Sequence, residues 1–150
     1  MKINISDIKN LREITGAGVS DCREALEYSA GNISKAKDFL AKKGVERAEK
    51  RSQRQADLGS VFSYIHGEGR VGVLVKILCE TSFVAATDEF KKLGKEIAMQ
   101  IAALDPKDLP QLLAQDYIRD SSKKISDLVT EISGKTGEKI KIAGFTRYEV

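Results

Sequence analysis

Histidine occurs once, cysteine twice and proline twice in these 150 residues, and each scarcity narrows the available chemistry. With His66 alone, no pair of histidines exists to hold a metal, and no H-x-x-x-H, C-x-x-C or G-x-S-x-G spacing occurs anywhere. Cys22 and Cys79 lie far apart; they propose neither a disulfide framework nor a metal site and fit a reducing compartment. The longest apolar stretch, VGVLVKILC from Val71 to Cys79, is interrupted by Lys76 and is too short to span a bilayer. The opening MKINISDIKN lacks the apolar centre of a secretory signal, so the cytoplasm is the expected location and no membrane contact is expected. Carboxylates such as Asp88 and Glu89 read as the solvated face of a helix. No cofactor is expected, and an enzyme is disfavoured.

What is present is the composition of a folded chain: 41% hydrophobic and 31% charged residues. Lys and Arg number 25 against 22 Asp and Glu, a net charge of +3 that by itself predicts no nucleic-acid partner. Residues 1–44 read as three short amphipathic helices, with Ser6, Ser20 with Asp21, and Asn32 as candidate caps and Gly16, Gly31 and Gly44 as stops. Residues 45–56 read as a basic linker. Around it, KKGVERAEKRSQR from Lys42 to Arg54 holds six basic residues and two acids, with no aromatics to stack on bases, so a solvated helical segment is favoured over a nucleic-acid patch.

Residues 57–150 read as an α+β domain. GSVFSYIHGEGRVGVLVKILCE places β-branched and aromatic residues on both sides of His66-Gly67-Glu68-Gly69-Arg70, which predicts a hairpin. Gly67 to Gly72 matches G-x-G-x-x-G, but a strand follows where a dinucleotide site needs a helix. SFVAATDEFKKLGKEIAMQIAAL carries Phe83, Phe90, Leu93, Ile97, Ile101 and Leu104 at helical spacing, predicting one long helix capped by Thr81 or Ser82. Two Asp-Pro and Leu-Pro steps end it, KKISDLVTEISGKTG predicts another helix, and KIKIAGFTRYEV predicts a closing strand, with Ile140, Ile142 and Phe145 toward one face. Three mainly antiparallel strands packed with helices follow. Phe83 sits at the strand-to-helix corner, where it either folds back into a core or meets another molecule.

The segments LREITGAGVSDCREAL, AGNISKAKDFLAKKG, RVGVLVKILCETSFVA and FTRYEV together resemble the translation elongation factor Ts family from about Ile8 to the last residue. The resemblance implies a guanine nucleotide exchange factor that binds elongation factor Tu in its GDP-bound and nucleotide-free forms, with an N-terminal module similar to ubiquitin-associated domains. The family's Thr-Asp-Phe-Val element is matched by Thr81, Ser82, Phe83 and Val84, and its phenylalanine enters an apolar pocket on the GTPase domain, displacing the region that holds Mg²⁺. The first module is implied to dock through Arg12, Thr15, Gly16, Ala17, Gly18 and Val19. Ser82 stands where the family has aspartate, and Val19 and Ser20 where it has two methionines. Longer relatives have a duplicated core or an inserted arm; this chain has a single unit, and single-unit relatives form homodimers through the C-terminal sheet. Some have a bridging cysteine where Thr146 stands here. The alternative is an adaptor similar to ubiquitin-associated modules without exchange activity, and a basic nucleic-acid binder comes third.

Overall fold

The computed structural model describes residues 3–150, in two compact units that divide between residues 50 and 51. The first holds α1 (Ile5–Thr15), α2 (Val19–Tyr28) and most of α3 (Ile33–Ser52). Leu11, Cys22, Ala25, Leu26 and Ala36 form its core, with Ile3, Ile8, Ala17, Ile33, Phe39 and Leu40 packed around them. The caps differ from two of the three expected. Asn4 caps α1, its Oδ1 accepting the Ser6 N–H at 3.4 Å, because the helix begins one residue before Ser6. Gly18 precedes α2 without a side-chain cap, which places Ser20 and Asp21 inside the first turn. Asn32 caps α3 as expected, accepting the Lys35 N–H at 3.0 Å.

Gly44 does not stop α3. A helix stop at glycine needs the left-handed conformation, which Gly44 does not adopt, whereas Gly16 does at φ 68°. One interior glycine costs about 1 kcal/mol relative to alanine, and ion pairs oppose that loss. Both guanidinium nitrogens of Arg47 donate to the Asp21 carboxylate at 2.8 Å, and Lys43 reaches Asp21 and Glu24. Asp21, drawn into this network, has no part in capping.

The second unit is built on a three-stranded antiparallel sheet in the order β1 (Leu58–His66), β2 (Val71–Cys79), β5 (Lys141–Glu149). The expected hairpin joins β1 and β2, with His66 paired to Val71 and Gly67, Glu68 and Gly69 all at positive φ in the turn. The G-x-G-x-x-G match therefore opens a strand. In β5 the pairing moves from Ile77–Ile142 to Lys76–Gly144, so Ala143 is an extra, bulged residue. That bulge lets Ile142 and Phe145, three apart, both join the core.

One face of the sheet is covered by α5 (Asp88–Leu104), which buries Phe90, Leu93, Ile97, Ala98 and Ile101 against Val73, Val75 and Ile77. The approach is close enough that a Cβ on Gly94 would stand 2.2 Å from the Phe62 ring, so that position admits only glycine. The remaining elements are α4 (Ser82–Ala85), α6 (Leu109–Ala114), β3 (Asp116–Tyr117), β4 (Asp120–Lys124) and α7 (Ile125–Thr136). The long helix expected from residue 82 is thus two helices. Thr87 divides them: its hydroxyl donates to the Val84 carbonyl at 2.7 Å and accepts the Phe90 N–H at 3.3 Å, a local cap that outcompetes helix continuation. Buried Gln100 holds the small β3–β4 pair, donating to the Asp116 carbonyl at 3.0 Å and accepting the Ile118 N–H at 3.0 Å. Both cysteines are free and buried.

The Asp21 network yields a pH test within the first unit. Hydrogen bonding from Arg47, helped by Lys43 and opposed by partial burial, lowers the Asp21 carboxyl from 3.8 to about 2. A lowered folded-state value stabilises above the unfolded value and is lost as pH falls through about 2. Because Arg47 is half exposed, the contribution is discounted to about 1 kcal/mol. Asp21→Asn should reduce stability by that amount at about pH 6, and the difference from wild type should fade between about pH 4 and 2 in melting experiments.

Candidate partner-docking site

The end of β2 passes directly into α4, and the polar groups exposed by that change of direction are met from residues far along the chain. Thr81 caps α4, its Oγ1 accepting the Val84 N–H at 3.3 Å. The same hydroxyl donates to Glu138 Oε1 at 2.6 Å, while Glu138 Oε2 accepts the backbone N–H groups of Glu80 and Thr81, both at 3.1 Å. Glu80 Oε1 in turn accepts the Lys139 N–H at 2.6 Å. Val84 and Ala85 turn toward the main core. Phe83 does not: it is 84% exposed, on an otherwise fixed corner. Of the two readings open for this residue, the core staple is excluded in the free chain.

The thiol beside this corner is inert. Cys79 Sγ lies 3.2 Å from the Thr81 carbonyl, and burial, reinforced by the Glu138 charge, pushes its pKa up. His66 is exposed and stacks on Tyr64, with Tyr64 Oη and His66 Nδ1 3.1 Å apart. Among the described residues no group of three or more His, Cys, Asp or Glu side chains is arranged to hold a metal.

In the first unit, Thr15 to Val19 form one turn. Gly16 takes the left-handed cap of α1 and donates its N–H to the Arg12 carbonyl at 2.8 Å. Thr15 Oγ1 donates to the Leu11 carbonyl at 2.6 Å and accepts the Ala17 N–H at 3.3 Å, while Ala17 packs on the core. The turn is therefore rigid, and it carries exposed Ile14 and Val19 beside exposed Arg12. Arg12, Thr15, Gly16, Ala17, Gly18 and Val19 come together in this unit, and Thr81, Ser82, Phe83 and Val84 in the other. Sequence reasoning missed Ile14 and Glu138. Helical spacing groups Ile14 with Ile8 and Leu11 as a core position, and only the fold leaves it 51% exposed; nothing local marks the second, which acts across 57 residues.

Phe83 thus stands exposed on a clasped corner of the second unit, and Ile14 and Val19 on the turn of the first. The family model described as Elongation factor TS matches residues 5–111 and again 80–150. The chain belongs to the elongation factor Ts family. Elongation factor Ts of Thermotoga neapolitana is 41% identical over 193 aligned positions, covering 100% of this chain and 98% of that protein. Elongation factor Ts of Thermotoga maritima is 39% identical, with 100% and 97% covered, and that of Caldanaerobacter subterraneus 41% identical, with 98% and 96% covered. Those 193 aligned positions exceed the 150 residues here, so the Thermotoga neapolitana family member includes residues without counterparts in this chain.

The exposure of Phe83 makes a direct stability prediction. Truncating a buried phenylalanine costs about 3 to 5 kcal/mol, and Phe90→Ala, at a fully buried site, should cost that much. Phe83→Ala should change stability by less than about 0.5 kcal/mol, as surface substitutions do. Thermal melting of the two variants side by side reads the contrast; equal losses would return Phe83 to the core.

Proposed function

We propose that this translation factor is a guanine nucleotide exchange factor that binds elongation factor Tu carrying GDP and promotes GDP release. The observation that carries the reading is Phe83, 84% exposed on a corner whose backbone is tied down, in a member of the elongation factor Ts family. Exchange needs no bond-making groups. A factor that binds the nucleotide-free partner more tightly than the nucleotide-bound one must weaken nucleotide by the same ratio. Burying one phenylalanine contributes roughly 1.5 to 3 kcal/mol, and about 1.4 kcal/mol corresponds to tenfold in affinity. Inserting Phe83 into an apolar pocket of the GTPase domain thus supplies about ten- to a hundredfold of coupling, with Thr81, Ser82 and Val84 completing the element. Ser82 brings no charge where the family has aspartate, so this corner relies more on the aromatic group.

The remaining coupling falls to the first unit, a three-helix module read as similar to ubiquitin-associated domains. It docks through Arg12 and the turn from Thr15 to Val19, where exposed Ile14 and Val19 supply apolar contact. The chain acts in the cytoplasm, where its partner works. GDP preloaded on the cognate elongation factor Tu should leave faster as this protein is added, with no nucleotide consumed. An unchanged rate at saturating protein would refute the exchange assignment and leave an adaptor.

We further infer a homodimer formed through the uncovered sheet face. Val61, Ile65, Leu74 and Tyr148 are all more than half exposed, and the strand pairing sets Ile65 and Tyr148 about Gly72 and Leu74 beside Thr146. Such a face is a liability that an isologous contact removes. The two family-model matches share residues 80–111, which fits one core unit standing for a repeated one. With Thr146 where some single-unit relatives have the bridging cysteine, the dimer has no disulfide there and should be indifferent to reductant. Light scattering over a dilution series should give a dimer mass that falls toward the monomer; a monomer mass at every concentration would exclude the pairing.

A further inference from the structure

We propose that Glu138 is a positioning residue that holds the Phe83 corner in the conformation the partner meets, an inference that rests on the exchange-factor reading. The four residues of α4 are too few to be stable as an isolated helix, since the first turn fixes several dihedrals for little hydrogen bonding. Phe83 adds no packing of its own, and Val84 and Ala85 are only partly buried. The corner's geometry therefore depends on its polar contacts.

Three of those contacts converge on one carboxylate. Glu138 receives the Glu80 N–H, the Thr81 N–H and the Thr81 hydroxyl within 3.1 Å, and bonds to an ionised acceptor are about twice as strong as neutral ones. Donation from Thr81 Oγ1 to Glu138 also turns the hydroxyl's lone pairs toward the Val84 N–H, so the carboxylate orients the helix cap as well as the strand end. The contact is reciprocal: Glu80 accepts the Lys139 N–H while Glu138 accepts the Glu80 N–H, and the two carboxylates lock the end of β2 to the approach to β5. Glu138 is itself placed by its backbone. Its carbonyl accepts Ser133 Oγ at 2.6 Å and its N–H donates to Thr136 Oγ1 at 3.4 Å, just past the left-handed cap of α7 at Gly137.

A side chain that must enter a pocket loses affinity in proportion to the time its backbone spends elsewhere. Glu138 removes that loss in advance. Glutamine has the same shape, but with its oxygen on the two backbone N–H groups its NH2 faces the Thr81 hydroxyl as a donor, so Glu138→Gln removes the acceptor that orients the α4 cap with little change in volume.

Two measurements separate this role from general support of the fold. The chain has no tryptophan, so Phe83→Trp gives a single fluorescent reporter at the corner. Adding Glu138→Gln should increase the fast, nanosecond part of its anisotropy decay at least about twofold. In the otherwise native chain, Glu138→Gln should reduce the acceleration of GDP release about tenfold, as for a competent population cut to about a tenth. In a Phe83→Ala chain it should reduce it by less than about twofold further, because the two residues act as one. Unchanged anisotropy, or equal losses in both backgrounds, would overturn the assignment. A larger fast component with no acceleration of GDP release by the native chain would uphold the positioning and overturn the exchange reading instead. If Glu138→Gln does not fold, Glu138→Asp, which withdraws both acceptor oxygens by one methylene, takes its place in both measurements.

Discussion

The second unit depends on a single constraint: three strands have two faces, and one long helix can cover only one. β2 lies between β1 and β5, and its inward residues Val73, Val75 and Ile77 are buried under α5, where Gly94 allows the helix backbone to approach Phe62. Everything else follows from that layer. The bulge at Ala143 brings Phe145 to the covered side, and the opposite side is left with Val61, Ile65, Leu74 and Tyr148 in solvent. The end of β2, fixed by its burial, then determines where the Thr81 corner stands. Phe83 is exposed because Val84 and Ala85 take the inward positions of α4.

Local signals carried much of this fold. Branched and aromatic residues flanking His66 to Arg70 were enough for the hairpin, since its strands and turn are adjacent in sequence. The helical period over Phe90 to Leu104 was enough for α5, and Asn32 for the start of α3. What escaped was decided by contacts at a distance or by competition between close alternatives. Gly44 resembles a stop, but Asp21, more than twenty residues earlier, pairs with Arg47 and the helix continues. Periodicity ran through Thr87 without a break, yet one hydroxyl serving two backbone partners ended α4 and began α5. The β3–β4 pair has no alternation to announce it; it exists because Gln100 is buried next to it.

The candidate site divides in the same way. The residue types at 12, 15–19 and 81–84 could be picked out from the chain by resemblance, and Phe83 was conspicuous as an aromatic at a corner. Whether it faced inward or outward depended on which neighbours reached the core, and that is a property of the packed layer. Glu138 lay beyond reach altogether. A glutamate before a lysine-rich strand has the look of ordinary surface charge until Glu80 and Thr81 are brought to it.

The placement of the two cysteines has a use of its own. Cys22 is in the core of the first unit and Cys79 in that of the second, neither with measurable surface, and burial disfavours the reactive thiolate of Cys79. An alkylating reagent therefore meets neither thiol until the unit around it opens. Each unit carries its own internal clock, and peptide mapping of the labelled chain would time the opening of one independently of the other.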